Sequence, residues 1–480
     1  MHPWMVVVAL TGISSAFCID LDITIKRKEP LAVVDTRFLS VTLGSSMIKN
    51  NFSHTDLFSK KFITLAKGLS ADIFLRVGGS DADHVRFRPT KNYILNTTEL
   101  NSLCRFVKNL GWTLIFDLNL LRRRTDGAWD PSNAVQMIGY LKERKFDLHY
   151  QLGNEPDLFP RHLNITIPPR QLAKDFENLH SILREVTGGW SKLIGPDVAT
   201  LTRYNYFEEV LSNMTENSLD AVSFHHYYSS SQHVSVKNFT DIAYLDRFLS
   251  YGLQALRIVK RSFSKFPHPP VWIGETSSTY GGGSRILGES YSASFLWLDK
   301  LGIAAQMNIS VLARQTLKGG YYSLLNKFYD PTPDYWVSVV YKQIVGTKVL
   351  DVTGRLQYGR KMRVYAHCMK KSFVQVHGKV VLIFLNLDST EFVHLRTPAC
   401  HSKGSVTGFM YLFEPANGRL DDKQVKLNGK LLRMIDEETL PKLSPVSVPC
   451  PYYIPPLTLG FLLLDKDFDI SFQRMSICDA

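Results

Sequence analysis

Eight apolar, strand-like runs alternate with helix-like segments between about residues 37 and 325, and no other feature constrains the fold as strongly. The runs are FLSVTLGSS (38–46), DIFLRVGGS (72–80), WTLIFDLN (112–119), LHYQLGNEP (148–156), KLIGPDV (192–198), AVSFHHYY (221–228), PVWIGETSS (270–278) and ISVLARQT (309–316). Segments between them, such as NAVQMIGYLKERK and QLAKDFENLHSILREV, carry apolar residues at helical spacing. A strand that is apolar at nearly every position is buried on both faces, as a parallel strand covered by helices is. Eight such units predict an α/β fold, a (β/α)8 TIM barrel over residues 37–340. In that fold, active sites form where the C-terminal ends of the strands meet the following loops. A doubly wound open sheet is the alternative.

After about residue 345 the texture changes to short strands separated by turn residues, among them MRVYAHCM, KVVLIFLNLD, SVTGFMYLF and LTLGFLLLD. These predict a C-terminal β-sandwich over residues 341–480. The stretch DLDITIKRKEPLAVV precedes the barrel and is also strand-like, so residues 19–36 are expected to pair with that sandwich. Residues 1–18 have a short apolar run, then small residues and no acid, which is the pattern of a secretory signal peptide. Six Asn-x-Ser/Thr sequons follow, at Asn51, Asn96, Asn164, Asn213, Asn238 and Asn308, and they fit a glycosylated protein of the secretory route. Five cysteines remain beyond the signal, and four lie after residue 360, where one or two disulfides can brace the C-terminal region. Cys104 reads as a buried free thiol.

The formal charge is +12, from 56 basic and 44 acidic residues, which draws a secreted protein to polyanions such as acidic glycans. The basic residues are scattered, and no zinc finger, RNA-binding signature or basic helix accompanies them, so nucleic acid is not an expected partner. No later apolar run approaches the roughly 20 residues that span a bilayer. Contact with membranes is expected only through proteoglycans.

Glu155 ends strand four and Glu275 ends strand seven, each after an apolar stretch and a glycine. In a closed barrel, strand ends from different sides share one mouth, so these carboxylates can converge. Glycoside hydrolysis needs such a pair: one acid protonates the leaving oxygen, and the other attacks the anomeric carbon. Asn154 beside Glu155 is a candidate donor to a sugar hydroxyl, or a satisfied turn residue. Arg76 can orient and ionise a nucleophile, or bridge backbone carbonyls. Tyr227 can bond the nucleophile, or pack in the core. His225 can touch substrate, or be a satisfied core histidine. Asp117, Asn119, His226, Tyr228, Arg314 and Gln315 are further polar groups at strand ends. The adjacent histidines lack an evident third ligand, so no metal is expected, and no cofactor motif is present. The runs YGGGS and KGGYY let backbone approach a ligand closely but lack the phosphate-loop pattern.

The stretches LGNEP, GPDV, HHYY, WIGETSSTYGGG, WLDKLG, ARQ, DPTPDYW and VGTKVL, in this order, resemble the heparanases of glycoside hydrolase family 79, which are retaining endo-β-glucuronidases. The resemblance runs from about Asp20 to Cys478. It implies Glu155 as acid/base and Glu275 as nucleophile. It implies substrate contacts at Ser80, His225, Tyr280, Gly281, Gly282, Gly320, Tyr321 and Tyr322, and a disulfide between Cys368 and Cys478. The implied substrate is heparan sulfate, and the implied location is the extracellular matrix or the lysosome. Two departures bear on this. The family's long insert between strands two and three has no counterpart here, so the expectation is a monomeric single chain that needs no internal excision. The family's basic cluster after GPDV reads ATLTRYNYFEE, with Arg203 alone, although Arg86, Arg88, Lys91 and Lys318 can compensate. Gly44 replaces an acidic position at the end of strand one, and an arginine after HHYY is lost near Gln232. A compact chain of this kind is also similar to leech-type hyaluronidase, which cleaves β-glucuronides of hyaluronan. Inactive members of the family leave a glycan-binding protein without catalysis as a third expectation.

Overall fold

A computed structural model describes residues 18–465 and 477–478, except 27–28, 50–51, 53–54, 88–93, 217, 353–359, 374–377 and 402–406. The signal-like segment before Cys18, the sequon Asn51, and Arg88 and Lys91 lie outside the described residues.

The eight runs form eight parallel strands: β1 (Leu39–Gly44), β2 (Phe74–Gly78), β3 (Thr113–Leu118), β4 (Leu148–Leu152), β5 (Ile194–Val198), β6 (Ala221–His226), β7 (Val271–Thr276) and β8 (Val311–Arg314). Each pairs in parallel with the next, and β8 pairs with β1 through Leu312–Leu39. The ring closes between β4 and β5 at Tyr150, whose N–H donates to Lys192 O at 2.9 Å. This is the expected barrel, not an open sheet.

Helices α1 (Lys60–Gly68), α2 (Thr97–Leu110), α3 (Ser132–Glu143), α4 (Pro169–Thr187), α5 (Tyr206–Ser212), α6 (Ile242–Ser262), α7 (Tyr291–Gln306) and α8 (Pro333–Ile344) alternate with the strands. Most are amphipathic. On α2, for example, Leu100, Leu103, Phe106, Val107 and Leu110 are buried, and Asn96 caps the first turn in a reciprocal pair with Glu99. Helix α7 is different, because every residue of it is buried. It lies between the barrel and the second domain, and a helix covered on all sides has no polar face.

The second domain is built from β9 (Val345–Val352), β10 (Met362–Met369), β11 (Gly378–Asn386), β12 (Phe392–Arg396), β13 (Thr407–Pro415), β14 (Val425–Leu427), β15 (Lys430–Leu431), β16 (Val446–Pro449), β17 (Tyr452–Ile454) and β18 (Thr458–Asp465). The large sheet runs β9-β10-β11-β18-β13-β14-β15 and takes in the N-terminal pieces Ile25–Lys26 and Ala32–Val33 against β9. The small sheet consists of Cys18–Asp22, β12 and β17. The N-terminal strand therefore belongs to the sandwich. Strand β11 shows why its sequence is apolar throughout. Val380, Leu382 and Phe384 face the small sheet, while Val381, Ile383 and Leu385 join the large core that continues into the barrel. Disulfides join Cys368 to Cys478 and Cys400 to Cys450, and Cys104 is a buried free thiol. Among the described residues, no helix is long and apolar enough to cross a membrane.

Candidate active site

The two glutamates meet at the C-terminal mouth of the barrel. Single ligand atoms of Glu155, His225 and Glu275 all lie within 4.8 Å of one another. Glu275 belongs to β7 and is almost buried. Glu155 stands just beyond β4, at φ +55°, in a region that non-glycine residues rarely adopt. The following Pro156 begins a short 3-10 turn, so the break in the strand is stiff on its downstream side.

Both oxygens of Glu275 are engaged. Arg76 Nη1 donates to Oε2 at 2.9 Å, and Tyr227 Oη donates to Oε1 at 2.6 Å. Arg76 is fully enclosed, and its other donors reach Asn154 Oδ1 (2.9 Å), Gln151 Oε1 (2.6 Å) and Asp197 Oδ2 (3.0 Å). Burial opposes its charge, but Asp197, Glu275, Asp117 and Glu155 together raise its affinity for the proton above the ordinary value. Asp117 lies 3.5 Å from Arg76, and burial raises its carboxyl well above the usual range.

Glu155 is the more open of the pair, and its Oε1 lies 2.9 Å from His225 Nδ1. His225 Nε2 in turn faces Asp197 Oδ2 at 3.5 Å. Burial disfavours an imidazolium, but the nearby carboxylates of Asp197 and Glu275, with the contact to Glu155, raise His225 to about 10. Alternation along β6 and the two residues after it separates the doublets His225-His226 and Tyr227-Tyr228. His225 and Tyr227 point into the mouth, whereas His226 packs outward on Phe248 and Tyr251. Tyr228 stacks on Tyr244. Burial, with Lys300 nearby, keeps His226 neutral. Lys300 itself donates to Thr276 Oγ1 (2.7 Å) and Ser277 O (2.9 Å), and so fastens the chain just after Glu275.

Three loops form a connected rim. Tyr322 stacks on Tyr227 with centroids 6.2 Å apart, and Gln315 Nε2 donates to Tyr322 Oη at 3.4 Å. Gln315 Oε1 also accepts from Thr42, which ties β8 to β1. Tyr280 and Tyr321 are exposed on the rim. Tyr321 N donates to Gly282 O at 2.7 Å, and Ser231 N donates to Tyr280 O at 3.1 Å. Gly281, Gly282 and Gly320 all have φ between +75° and +84°. A Cβ on Gly320 would come within 2.9 Å of Gly282 O, so the glycines serve contact between the loops. Ser80 is exposed on the loop after β2.

The remaining polar strand ends serve structure. Arg314 pairs with Asp334 at 2.7 Å and lies over Trp297. Asn119 donates to Val85 O at 3.0 Å. Arg203 turns to Asp157, 3.9 Å away, while Asp157 accepts from the N–H groups of Ala199 and Thr200. Lys318 lies over the Tyr329 ring, and Arg86 is exposed. Of the sequons, Asn96, Asn164, Asn213 and Asn308 are exposed, and Asn238 is half-buried. Two residues that the sequence did not single out complete the site. Asp197, the acid of GPDV, lies under both glutamates. Asp83 accepts from the N–H groups of Asn154 (3.0 Å) and Leu120 (3.1 Å). GPDV offered a signal, an acid at the end of a buried strand, whereas Asp83 offered none.

The donors of Glu155, His225 and Glu275 are close enough to share a cation. Each already faces a protein partner, however, and a cation would have to displace Arg76 or Tyr227 from Glu275.

Residues 58–302 match the model of glycosyl hydrolase family 79, N-terminal domain. The chain is 32% identical to heparanase of Bos taurus, over 91% of this chain and 90% of that protein. It is 29% identical to hyaluronoglucuronidase of Hirudo nipponia, over 93% of this chain and 98% of that protein. A solved 4-O-α-L-rhamnosyl-β-D-glucuronidase from Fusarium oxysporum 12S shares the fold, with TM-score 0.65 at 13% identity, covering 92% of this chain and 100% of that one.

Proposed function

Because the chain belongs to glycoside hydrolase family 79 and is a glycoside hydrolase, we propose that it is a retaining endo-β-glucuronidase of acidic glycosaminoglycans, with Glu155 as acid/base and Glu275 as nucleophile. The observation that carries the reading is that one oxygen of each carboxylate lies within 4.8 Å of an oxygen of the other. Retaining enzymes hold their carboxyl groups about 5–5.5 Å apart, whereas inverting enzymes leave about 6.5–9.5 Å for a water. In the first step a Glu275 oxygen bonds the anomeric carbon as the glycosidic bond breaks, and Glu155 gives its proton to the departing oxygen. In the second, Glu155 takes a proton from water, whose oxygen displaces Glu275 from the sugar. Arg76 and Tyr227 hold Glu275 in place, and Asn154 is fixed by Arg76 beside the scissile position. Tyr280, Gly281, Gly282, Gly320, Tyr321, Tyr322 and Gln315 line the approach, with Ser80 on the neighbouring loop.

Heparan sulfate is the leading substrate, supported by the net charge of +12 and by the likeness to heparanase. Hyaluronan is the second reading. It is favoured by Arg203, the lone cation of its loop, which turns toward Asp157. We propose further that the enzyme acts as a single chain without internal excision, in the extracellular matrix or the lysosome. The test offers heparan sulfate, hyaluronan and chondroitin separately and identifies the new reducing-end sugar. Glucuronic acid is expected there, and Glu155→Gln and Glu275→Gln are expected to abolish it. Near wild-type turnover in either variant defeats the assignment. Glycan binding without any product establishes a non-catalytic protein instead, and activity that appears only after an internal cut defeats the single-chain reading.

A further inference from the structure

We propose that Asp197 is a positioning residue for both glutamates at once, setting Glu155 through His225 and its own backbone, and Glu275 through Arg76. The inference rests on the catalytic reading above. Asp197 is the penultimate residue of β5, far in sequence from both glutamates, and it is fully buried. Its Oδ2 lies 3.0 Å from Arg76 Nη2, and Arg76 is the residue that holds Glu275 Oε2. The same Oδ2 lies 3.5 Å from His225 Nε2, whose other nitrogen meets Glu155. Its Oδ1 accepts from the Ser223 hydroxyl. Its backbone carbonyl accepts from Glu155 N at 3.0 Å.

Two further observations argue that this placement is built in. Asp197 has φ +51° and Glu155 has φ +55°, so two non-glycine residues in a disfavoured conformation face each other across one backbone hydrogen bond. Such strain persists only where the surroundings enforce it. Gly274, immediately before Glu275, leaves the space that Asp197 fills: a Cβ there would lie 2.3 Å from Asp197 Oδ1 and 3.0 Å from Oδ2. The charged and titratable groups around this carboxylate are Arg76 on β2, Asp117 on β3, Glu155 beyond β4, His225 on β6 and Glu275 on β7. Arg76 and His225 are the cations among them. Burial opposes the Asp197 charge, but these two cations and the Ser223 hydroxyl hold its carboxyl down at about 2. One buried anion thus contacts both Arg76 and His225, and each of these meets a different glutamate.

The experiment compares Asp197→Asn with Ser223→Ala in the full chain, alongside Glu155→Gln and Glu275→Gln. Asp197→Asn keeps the side-chain shape and the backbone carbonyl but removes the charge. The expected kcat falls about 10- to 100-fold, as for loss of a charged hydrogen-bonding partner, with KM nearly unchanged. Selective 15N-histidine NMR reads the second prediction. His225 is expected to stay an imidazolium up to about 10 in the parent and to titrate nearer its ordinary 6.5 in the variant. Ser223→Ala, which removes only one bond to Asp197, shifts both readouts the same way by less, and serves if Asp197→Asn does not fold. Parental kcat in Asp197→Asn overturns the proposal. So does a fall in kcat without movement of the His225 titration, because Asp197 is then merely structural. If the glutamate variants are inactive while Asp197→Asn is unimpaired, only this inference fails. If the glutamate variants retain turnover, the catalytic reading fails first.

Discussion

Arg76 and Arg363 are both buried, and each is clamped by carboxylates with a tyrosine on one of them. At the barrel mouth, Arg76 meets Glu275 and Asp197, and Tyr227 Oη donates to Glu275 at 2.6 Å. Between barrel and sandwich, Arg363 meets Asp299 (2.8 Å) and Asp246 (2.7 Å), and Tyr365 Oη donates to Asp299 at 2.6 Å. The parts are the same, and the surroundings differ. Asp299, a residue of α7, is wholly enclosed. Glu275 faces a second, more open glutamate held in a disfavoured backbone conformation. A buried ion cluster therefore does not by itself identify an active site. A partly exposed second acid that converges on the first, and local backbone strain, separate the proposed catalytic cluster from the one that fastens two domains.

The comparison can be broken by exchanging the readouts. Glu275→Gln is expected to lower kcat by about 10³-fold or more while leaving the thermal midpoint unchanged or higher, because functional sites sacrifice stability. Arg363→Met is expected to do the reverse. It leaves Asp299 and Asp246 buried without their partner and costs about 3–5 kcal/mol of stability, measured by chemical denaturation, with kcat per folded molecule unchanged. A large stability loss in the first variant, or a catalytic loss in the second, would erase the distinction. Tyr227→Phe sharpens it: losing one hydrogen bond to a carboxylate, worth about 1.5–3 kcal/mol, should lower kcat roughly tenfold or more, with KM little changed.

The smallest effect is a pH dependence of stability. Burial pushes Asp83 up to about 7 from an ordinary 3.8, against its backbone N–H partners and Arg76, which lower it. A raised folded value means that its contribution is full below about 3.8 and is lost as pH rises through about 7. His225, raised to about 10 from 6.5, adds a contribution that is full below 6.5 and lost as pH rises through about 10. Asp197, held at about 2, works in the opposite sense only below its ordinary 3.8. The thermal midpoint should therefore rise as the buffer is taken from mildly alkaline to mildly acidic, and Asp83→Asn should flatten the part between about 4 and 7. A midpoint that falls over that interval contradicts the assignment.

The barrel was legible because parallel strands buried on both faces leave near-continuous apolar runs, as in β3 and β8. The glutamate pair was legible because strand ends in a closed barrel share a mouth. Other features left weaker traces. Cys18–Asp22 pairs in parallel with Phe392–Arg396 across the whole chain, and no local pattern encodes that contact. The strands Phe392–Arg396 and Tyr452–Ile454 are short and half-exposed, so their alternation is faint. The doublets His225-His226 and Tyr227-Tyr228 each hold one inward and one outward residue, and only the phase of β6 decides which. Asp197 showed in the sequence only as an acid near the end of a buried strand, and its contacts with Arg76 and His225 join residues 121 and 28 positions away in the chain.

The central claim is that Glu155 and Glu275 act as a retaining pair on one sugar linkage. Its most direct test is the anomeric form of the nascent reducing-end glucuronic acid, followed by proton NMR from the first turnovers, before mutarotation. The account requires the β anomer to appear first. The α anomer appearing first would mean direct displacement by water, and would contradict a nucleophilic Glu275.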